Sequence, residues 1–238
     1  MQRLKDFEFT DLYIHAEPEM PDGSAPIWYR PSMASTKRLL SPLPAEYSHD
    51  AAEMRDMLVN TPRDEFMLLH DGIRYRVGKV YDTNGVWYVC RRGFKTIPKL
   101  QDLNLHPRLV PPLLTLGRSF GLILISGAPG TGKTTLASAL LQEFLNFYGD
   151  VAVTIEDPPE LPLSGRYPNG LCYQLEVKDD DWESPIKAAF RYKAKYLLIG
   201  EIRTPGTAIE ALRACIRGHM VIATIHSSKI EEALEVLS

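Results

Sequence analysis

The run Gly127-Ala-Pro-Gly-Thr-Gly132-Lys133-Thr134 fits the spacing G-x-x-x-x-G-K-[ST]. Such a loop has to wrap an anion with backbone N–H groups. Glycines supply the unusual dihedrals and close approach, and the helix that follows adds the positive end of its dipole. Lys133 then reaches the β- and γ-phosphates, and the Thr134 hydroxyl is placed to coordinate Mg²⁺. By average residue usage the fixed positions recur by accident in roughly one chain in a hundred of this length. Here an apolar run ends at Ser126 just before the loop, and an amphipathic helical pattern begins at Lys133 just after it. The nucleotide-binding candidates are therefore Gly127, Ala128, Pro129, Gly130, Thr131, Gly132, Lys133, Thr134 and Thr135, with a nucleoside polyphosphate and Mg²⁺ as the ligands. No N-K-x-D base-reading motif occurs, which argues against a GTPase. A motor and a small-molecule kinase both remain open at this point.

Three further segments place polar side chains just after apolar runs. Tyr196-Leu-Leu-Ile-Gly-Glu201 ends in a carboxylate that can hold Mg²⁺ or its water. Val153-Thr-Ile-Glu156-Asp157-Pro-Pro-Glu160 carries three carboxylates past a second run, and Ala223-Thr-Ile-His226 follows a third. Singly, each has a bland reading as an acidic turn or a structural histidine. Together, three successive strand ends deliver Glu/Asp, Glu and His towards one face.

The elements that must position these groups alternate between strands and helices. Leu122–Ser126, Val151–Ile155, Tyr196–Gly200 and Val221–Ile225 read as strands apolar on both faces, with Leu171–Val177 as another. Helical patterns cover 134–147 and 182–192, and Ile209, Leu212 and Ile216 form a helical stripe before the last strand. This is the pattern of a parallel sheet covered on both sides. The chain before it differs. Strand-like runs at Asp11–His15, Ile27–Arg30, Glu65–Leu69, Arg74–Val80 and Val86–Cys90 surround a helix at Ser48–Leu58. Asp71-Gly72 and Asn84-Gly85 read as hairpin turns. The expected organisation is a small α+β domain at 1–97, a proline-punctuated linker at 98–112 and an α/β domain at 113–238.

Composition narrows the class. With 45% hydrophobic and 24% charged residues in 238, the chain is ordered and globular, with room for two domains. A formal charge of −3 argues against a strongly basic nucleic-acid binder. The three cysteines, Cys90, Cys172 and Cys215, lie far apart with no C-x-x-C pair, so neither a disulfide scaffold nor a zinc site of ordinary spacing is indicated. The first residues lack the apolar core of a signal peptide, and no apolar run approaches the ~20 residues of a membrane span. The reading is of a soluble, cytoplasmic chain.

In these motifs the chain resembles the hexameric secretion ATPases that drive type IV pilus extension and retraction, type II secretion and type IV conjugative secretion. The resemblance rests on the phosphate loop, or Walker A motif, an "Asp box" at Thr154–Glu160, a Walker B motif at Leu197–Arg203 and a "His box" at Gly218–Ser227. Arg217-Gly-His-Met-Val-Ile-Ala-Thr-Ile-His226 is the most specific of these. Phe9–His15, Arg74–Val77 and Lys95–Leu103 look like the family's PAS-like N-terminal domain and linker. The resemblance implies a RecA-like P-loop core, with Glu160 polarising the attacking water and Glu201 on the metal side. It also implies that His226 senses the γ-phosphate, and that arginines of a neighbouring subunit's N-terminal domain complete the site. Arg76 and Arg91 match these best, with Arg74 and Arg92 as competitors. A homo-hexameric ring beside an inner-membrane platform protein is implied as well. Thr204 stands where pilus motors usually carry Asp, and Ser238 falls inside what should be a helix after the His box. The family's helical C-terminal region is thus expected to be lacking here. Alternative readings are a nucleotide-binding assembly module with little hydrolysis and a RecA-like nucleic-acid translocase, the latter suggested by Lys187, Arg191, Lys193 and Lys195.

Overall fold

The structure is a computed structural model, and it describes residues 2–20, 23–32 and 39–226. Ser227 of the His box and the helix expected after it lie outside the described residues. The chain divides into two compact units, Met1–Lys95 and Thr96–Ser238.

In the first unit the strands are β1 (Phe9–His15), β2 (Ile27–Pro31) and β3 (Ser41–Pro42), then, after helix α1 (Ser48–Val59), β4 (Glu65–His70), β5 (Ile73–Asp82) and β6 (Gly85–Arg92). They form one antiparallel sheet in the order β3-β2-β1-β6-β5-β4. Ala51, Met54 and Leu58, at helical spacing on α1, are fully buried with Leu12, Ile14, Tyr75 and Cys90, the inward residues of alternating strands. His70 pairs with Ile73 across a two-residue turn, and both turn residues, Asp71 and Gly72, have positive φ. The second hairpin closes one residue earlier than its Asn-Gly dipeptide suggests. Asp82 pairs with Gly85, so Thr83 and Asn84 make the turn. Gly85 is needed where it stands, because its φ is +125° and a Cβ there would meet His15 Nε2 at 2.8 Å.

The second unit opens on helix α2 (Val110–Thr115) and continues through β7 (Gly121–Ser126), α3 (Lys133–Tyr148), β8 (Asp150–Glu156), β9 (Gly165–Tyr167) and β10 (Gly170–Glu176). It ends, as far as it is described, with α4 (Glu183–Ala189), β11 (Tyr196–Ile199), α5 (Pro205–Ile216) and β12 (Met220–Ile225). The sheet order is β7-β12-β11-β8-β10-β9, and every neighbouring pair except β10 with β9 is parallel. Alternate residues of one strand feed two cores. Leu197 and Ile199 pack with α4 and α5, while Tyr196 and Leu198 pack with α3. Both sets are buried, which is why the strand reads as a continuous apolar run.

Three features differ from the sequence reading. The segment 98–112, read as a linker, packs on the second unit: Leu100 is fully buried against α3, and Leu103, Leu105 and Val110 lie against the same core. Of its prolines, Pro111 and Pro112 sit in the first turn of α2, where a missing N–H costs no helical hydrogen bond. The stretch before Asn169, to which the sequence reading assigns no strand, contains β9, a short edge strand held by β10. On α5 the stripe Ile209–Leu212–Ile216 does not face the core, since Ile209 is 48% and Ile216 84% exposed. The buried face is Thr207, Ala208, Ala211 and Ala214, whose small side chains let the helix lie close to the sheet beside α4. Both stripes satisfy helical spacing, and closeness of packing selects the smaller residues.

Candidate functional site

Parallel strands β7, β12, β11 and β8 lie side by side in that order, so their C-terminal ends form one edge. Each end leads into one of the motifs. The phosphate loop leaves β7, His226 leaves β12, Glu201 leaves β11 and Asp157 leaves β8.

The phosphate loop turns tightly before α3. Ala128 O accepts hydrogen bonds from Thr131 Oγ1 at 2.8 Å and from Lys133 Nζ at 3.1 Å. Gly130 and Gly132 have positive φ, and a Cβ at either would meet nothing within 4 Å, so the loop presents bare backbone on an open side. Ala128, Pro129, Gly130, Thr131 and Gly132 are exposed; Gly127, Thr134 and Thr135 are half-buried. Lys133 is buried at the first turn of α3, a sixteen-residue helix.

From Lys133 a chain of polar contacts runs along the strand ends. Lys133 Nζ lies 3.2 Å from His226 Nδ1, His226 Nε2 lies 3.1 Å from Glu201 Oε1, and Arg203 Nε donates to Glu201 Oε2 at 2.9 Å. Arg203 then donates from its terminal nitrogen to Asp157 Oδ2 at 3.2 Å. An ammonium can only donate, so Nδ1 of His226 accepts and its Nε2–H donates to Glu201. The Glu201 carboxylate, and next to it Asp157 and Asp180, hold the Arg203 guanidinium more firmly protonated than usual, against the opposing effect of burial. Neighbouring groups fix the loops themselves. Thr224 Oγ1 donates to Gly200 O, Ile202 N donates to Thr224 O at 2.9 Å, and Gln174 Nε2 donates to both Glu156 Oε1 at 2.9 Å and Leu161 O at 2.8 Å.

Lys133, His226 and Glu201 are thus brought together. Glu160 is exposed on the loop after β8, and among the described residues no hydrogen bond or ion pair engages it. Arg76 and Arg91 belong to the first unit, where they face each other across β5 and β6. Both are exposed, and Arg91 Nε donates to Asp11 Oδ1 at 3.2 Å. Of their competitors, Arg92 has a structural task. Its guanidinium donates to the carbonyls of Leu4, Lys5 and Phe7 and lies over the Phe9 ring. The basic cluster expected at Lys187, Arg191, Lys193 and Lys195 is partly neutralised, since Lys187 pairs with Glu183 at 2.9 Å and Glu210 at 3.7 Å. Sequence reasoning missed Arg203, Asp157 as its partner and Trp182, whose indole lies beneath the Arg203 guanidinium at 5.5 Å. The available signal was an arginine two residues past Glu201.

The loop fits a polyphosphate, with bare glycine backbone beside a buried lysine at a helix start. Thr134 and Glu201 add the hard oxygen donors that suit Mg²⁺. Among the described residues no three His, Cys, Asp or Glu side chains are grouped to hold a metal ion by themselves. No described helix is long and apolar enough to cross a membrane.

The chain is similar to several known proteins. The competence protein ComGA of Halalkalibacterium halodurans is 41% identical over 133 residues, covering 54% of this chain and 36% of its own length. The type IV pilus ATPase PilU of Pseudomonas aeruginosa is 33% identical over 165 residues, covering 68% of this chain and 42% of its own. The chain therefore spans less than half the length of these two relatives. Among solved structures, the pilus retraction motor PilT with bound ADP superposes with a TM-score of 0.74 at 24% identity, over 98% of this chain and 67% of PilT. That likeness is one of fold: a RecA-like P-loop core with a smaller N-terminal α+β domain. The profile described as "Type II/IV secretion system protein" matches residues 30–238, nearly the whole chain. With the four motifs on one sheet edge and that match across both units, the chain belongs to the Type II/IV secretion system protein family.

Proposed function

We propose that the protein is a Mg²⁺-dependent ATPase subunit of a pilus or secretion motor. The observation that carries this reading is the contact of Lys133 with His226 and of His226 with Glu201 at the open side of the phosphate loop. Lys133 and the loop backbone hold the phosphates, with Thr134 and Glu201 on the metal side. Mg²⁺, when bound, neutralises phosphate charge and so assists displacement at the γ-phosphorus. Glu160, exposed on its loop and without a hydrogen-bond or ion-pair partner among the described residues, is the carboxylate that orients and polarises the attacking water. His226 touches the phosphate lysine and the metal-side carboxylate at once, so a γ-phosphate competing for Lys133 is felt at Glu201. Arg76 and Arg91 serve a neighbouring subunit's site by stabilising charge that develops in the transition state. The assembled form is a homo-hexamer on the cytoplasmic side of the inner membrane, passing its domain movement to a platform protein.

The test is steady-state ATP turnover of the wild type and Glu160→Gln. Loss of the carboxylate should lower kcat by roughly 10²–10⁴-fold with little change in ADP affinity. Equal turnover in the two proteins overturns the role of Glu160. Tight ATP binding by the wild type with negligible turnover at high protein concentration overturns the motor reading and favours an assembly module.

A further inference from the structure

Arg203 is the link in the polar chain to which the functional reading gives no task, and it is exposed yet engaged by two carboxylates and an indole. It follows β11 by a short loop, while Asp157 follows β8, the next strand of the sheet. The side chain is engaged on three sides. Nε donates to Glu201 Oε2 at 2.9 Å, a terminal nitrogen donates to Asp157 Oδ2 at 3.2 Å, and the guanidinium carbon sits 5.5 Å from the Trp182 ring centre. Trp182 cannot move to follow it. The indole is only 3% exposed, packs in the core beneath α4 and α5, and donates from Nε1 to Asp180 Oδ1 at 3.0 Å.

We propose that Arg203 is a positioning residue that straps the Glu201 loop to the Glu160 loop. Glu201 has two carboxylate oxygens. Oε2 is taken by Arg203, and Oε1 is thereby turned to His226. Asp157 stands three residues before Glu160, so the other arm of the guanidinium sets where the Glu160 loop starts. One planar cation fixes the distance between the metal-side carboxylate and the carboxylate assigned to the attacking water. Arginine presents a fork that reaches two carboxylates, with its cation over the indole; lysine supplies the charge as a point. The arms differ in use. Losing the Glu201 arm misdirects Oε1 away from His226, and losing the Asp157 arm loosens only the loop that carries Glu160.

This inference rests on the ATPase reading for its consequence but not for its geometry, so two readouts are needed. The first is acrylamide quenching of Trp182 fluorescence in a Trp28→Phe/Trp87→Phe background of the full chain. Arg203→Ala should raise the quenching constant about twofold or more, Arg203→Lys should fall between, and Asp157→Asn should raise it less than Arg203→Ala. The second is turnover, with Arg203→Ala lowering kcat roughly 10- to 100-fold and leaving KM for ATP within about twofold, as for a group that acts by orientation. Arg203→Lys should recover only a small part. The Arg203→Ala/Asp157→Asn double variant should be no slower than Arg203→Ala alone, because the two residues act as one unit. Unchanged quenching in Arg203→Ala, or additive losses of kcat in the double variant, overturns the strap. A wild type that binds ADP but hydrolyses no ATP overturns the ATPase reading, and the quenching series still decides the strap by itself.

Discussion

Replacing Lys133 by Met separates the two roles a buried ammonium plays here. Met keeps most of the stem volume and removes the charge. In the folded protein the ammonium donates to Ala128 O at 3.1 Å and to His226 Nδ1 at 3.2 Å. Losing two charge-assisted hydrogen bonds costs about 1.5–3 kcal/mol each. Against this, an ammonium in a nearly dry site carries a desolvation penalty of several kcal/mol, which the substitution abolishes. The opposing contributions are of similar size, so the net change in stability should stay within about 1 kcal/mol, or roughly 2–4 °C in Tm for a chain of this size. Binding has no such compensation. The phosphates lose a positioned cation in a low-dielectric pocket, worth about 2–4 kcal/mol by analogy with truncated buried charge pairs, or roughly 30- to 1000-fold in Kd. Titration calorimetry with ADP and with a non-hydrolysable ATP analogue reads the affinity, and thermal unfolding without nucleotide reads the stability. Melting like wild type with analogue affinity within about threefold would refute the assignment of Lys133 to phosphate. A Tm loss above about 10 °C would refute the assumed cancellation and make the lysine a structural residue.

Two further predictions test the fold. Ala211→Leu on the core face of α5 should destabilise the second unit by about 1–3 kcal/mol through overpacking, whereas Ile216→Ala on its exposed face should change stability by less than about 0.5 kcal/mol; urea midpoints followed by Trp182 emission decide. In the first unit the Arg3 guanidinium, helped by Lys5, holds the Asp71 carboxyl below its ordinary value of about 3.9. A depressed carboxylate contributes stability above its unfolded pKa and loses it as pH falls through the folded one. Wild type should therefore exceed Asp71→Asn in stability at pH 6 and converge with it in strong acid. A difference that persists unchanged to pH 2 would mean that the contribution is not ionic.

Legibility followed how local each cause is. Strands of the second unit stand out in the sequence because burial on both faces demands unbroken apolar runs, as at Tyr196–Ile199 and Met220–Ile225. The α1 face was readable because Ala51, Met54 and Leu58 recur at helical spacing, while Met57 and Val59 near its end are exposed. On α5 two stripes compete, and size against the sheet decides between them, which spacing alone does not encode. Proline density marked 98–112 as a joint, yet Leu100 is buried, because a single 3-10 turn between prolines is enough to insert an anchor. The turn from β7 into α3 was legible from eight consecutive residues because its backbone course is set locally, with Gly130 and Gly132 at positive φ.

The polar chain beyond the loop could not be read that way, and the reason lies in the winding of the sheet. Along the chain the motifs run from phosphate loop to Asp box, Walker B and His box. Across the sheet they run from β7 to β12, β11 and β8, which sets the last motif beside the first. Lys133 therefore meets His226 across 93 residues, and Arg203 meets Asp157 across 46. No spacing rule predicts either contact. The contacts cross neighbouring strand ends one after another without skipping a strand, so displacing any member must be answered by the next strand's side chain. On the proposed reading, a phosphate drawing Lys133 away would release Nδ1 of His226 after β12, and through Oε1 of Glu201 after β11 the change would reach the guanidinium beside the loop after β8. Parallel winding is what makes this short route possible: it gathers four chain-distant loops at one edge.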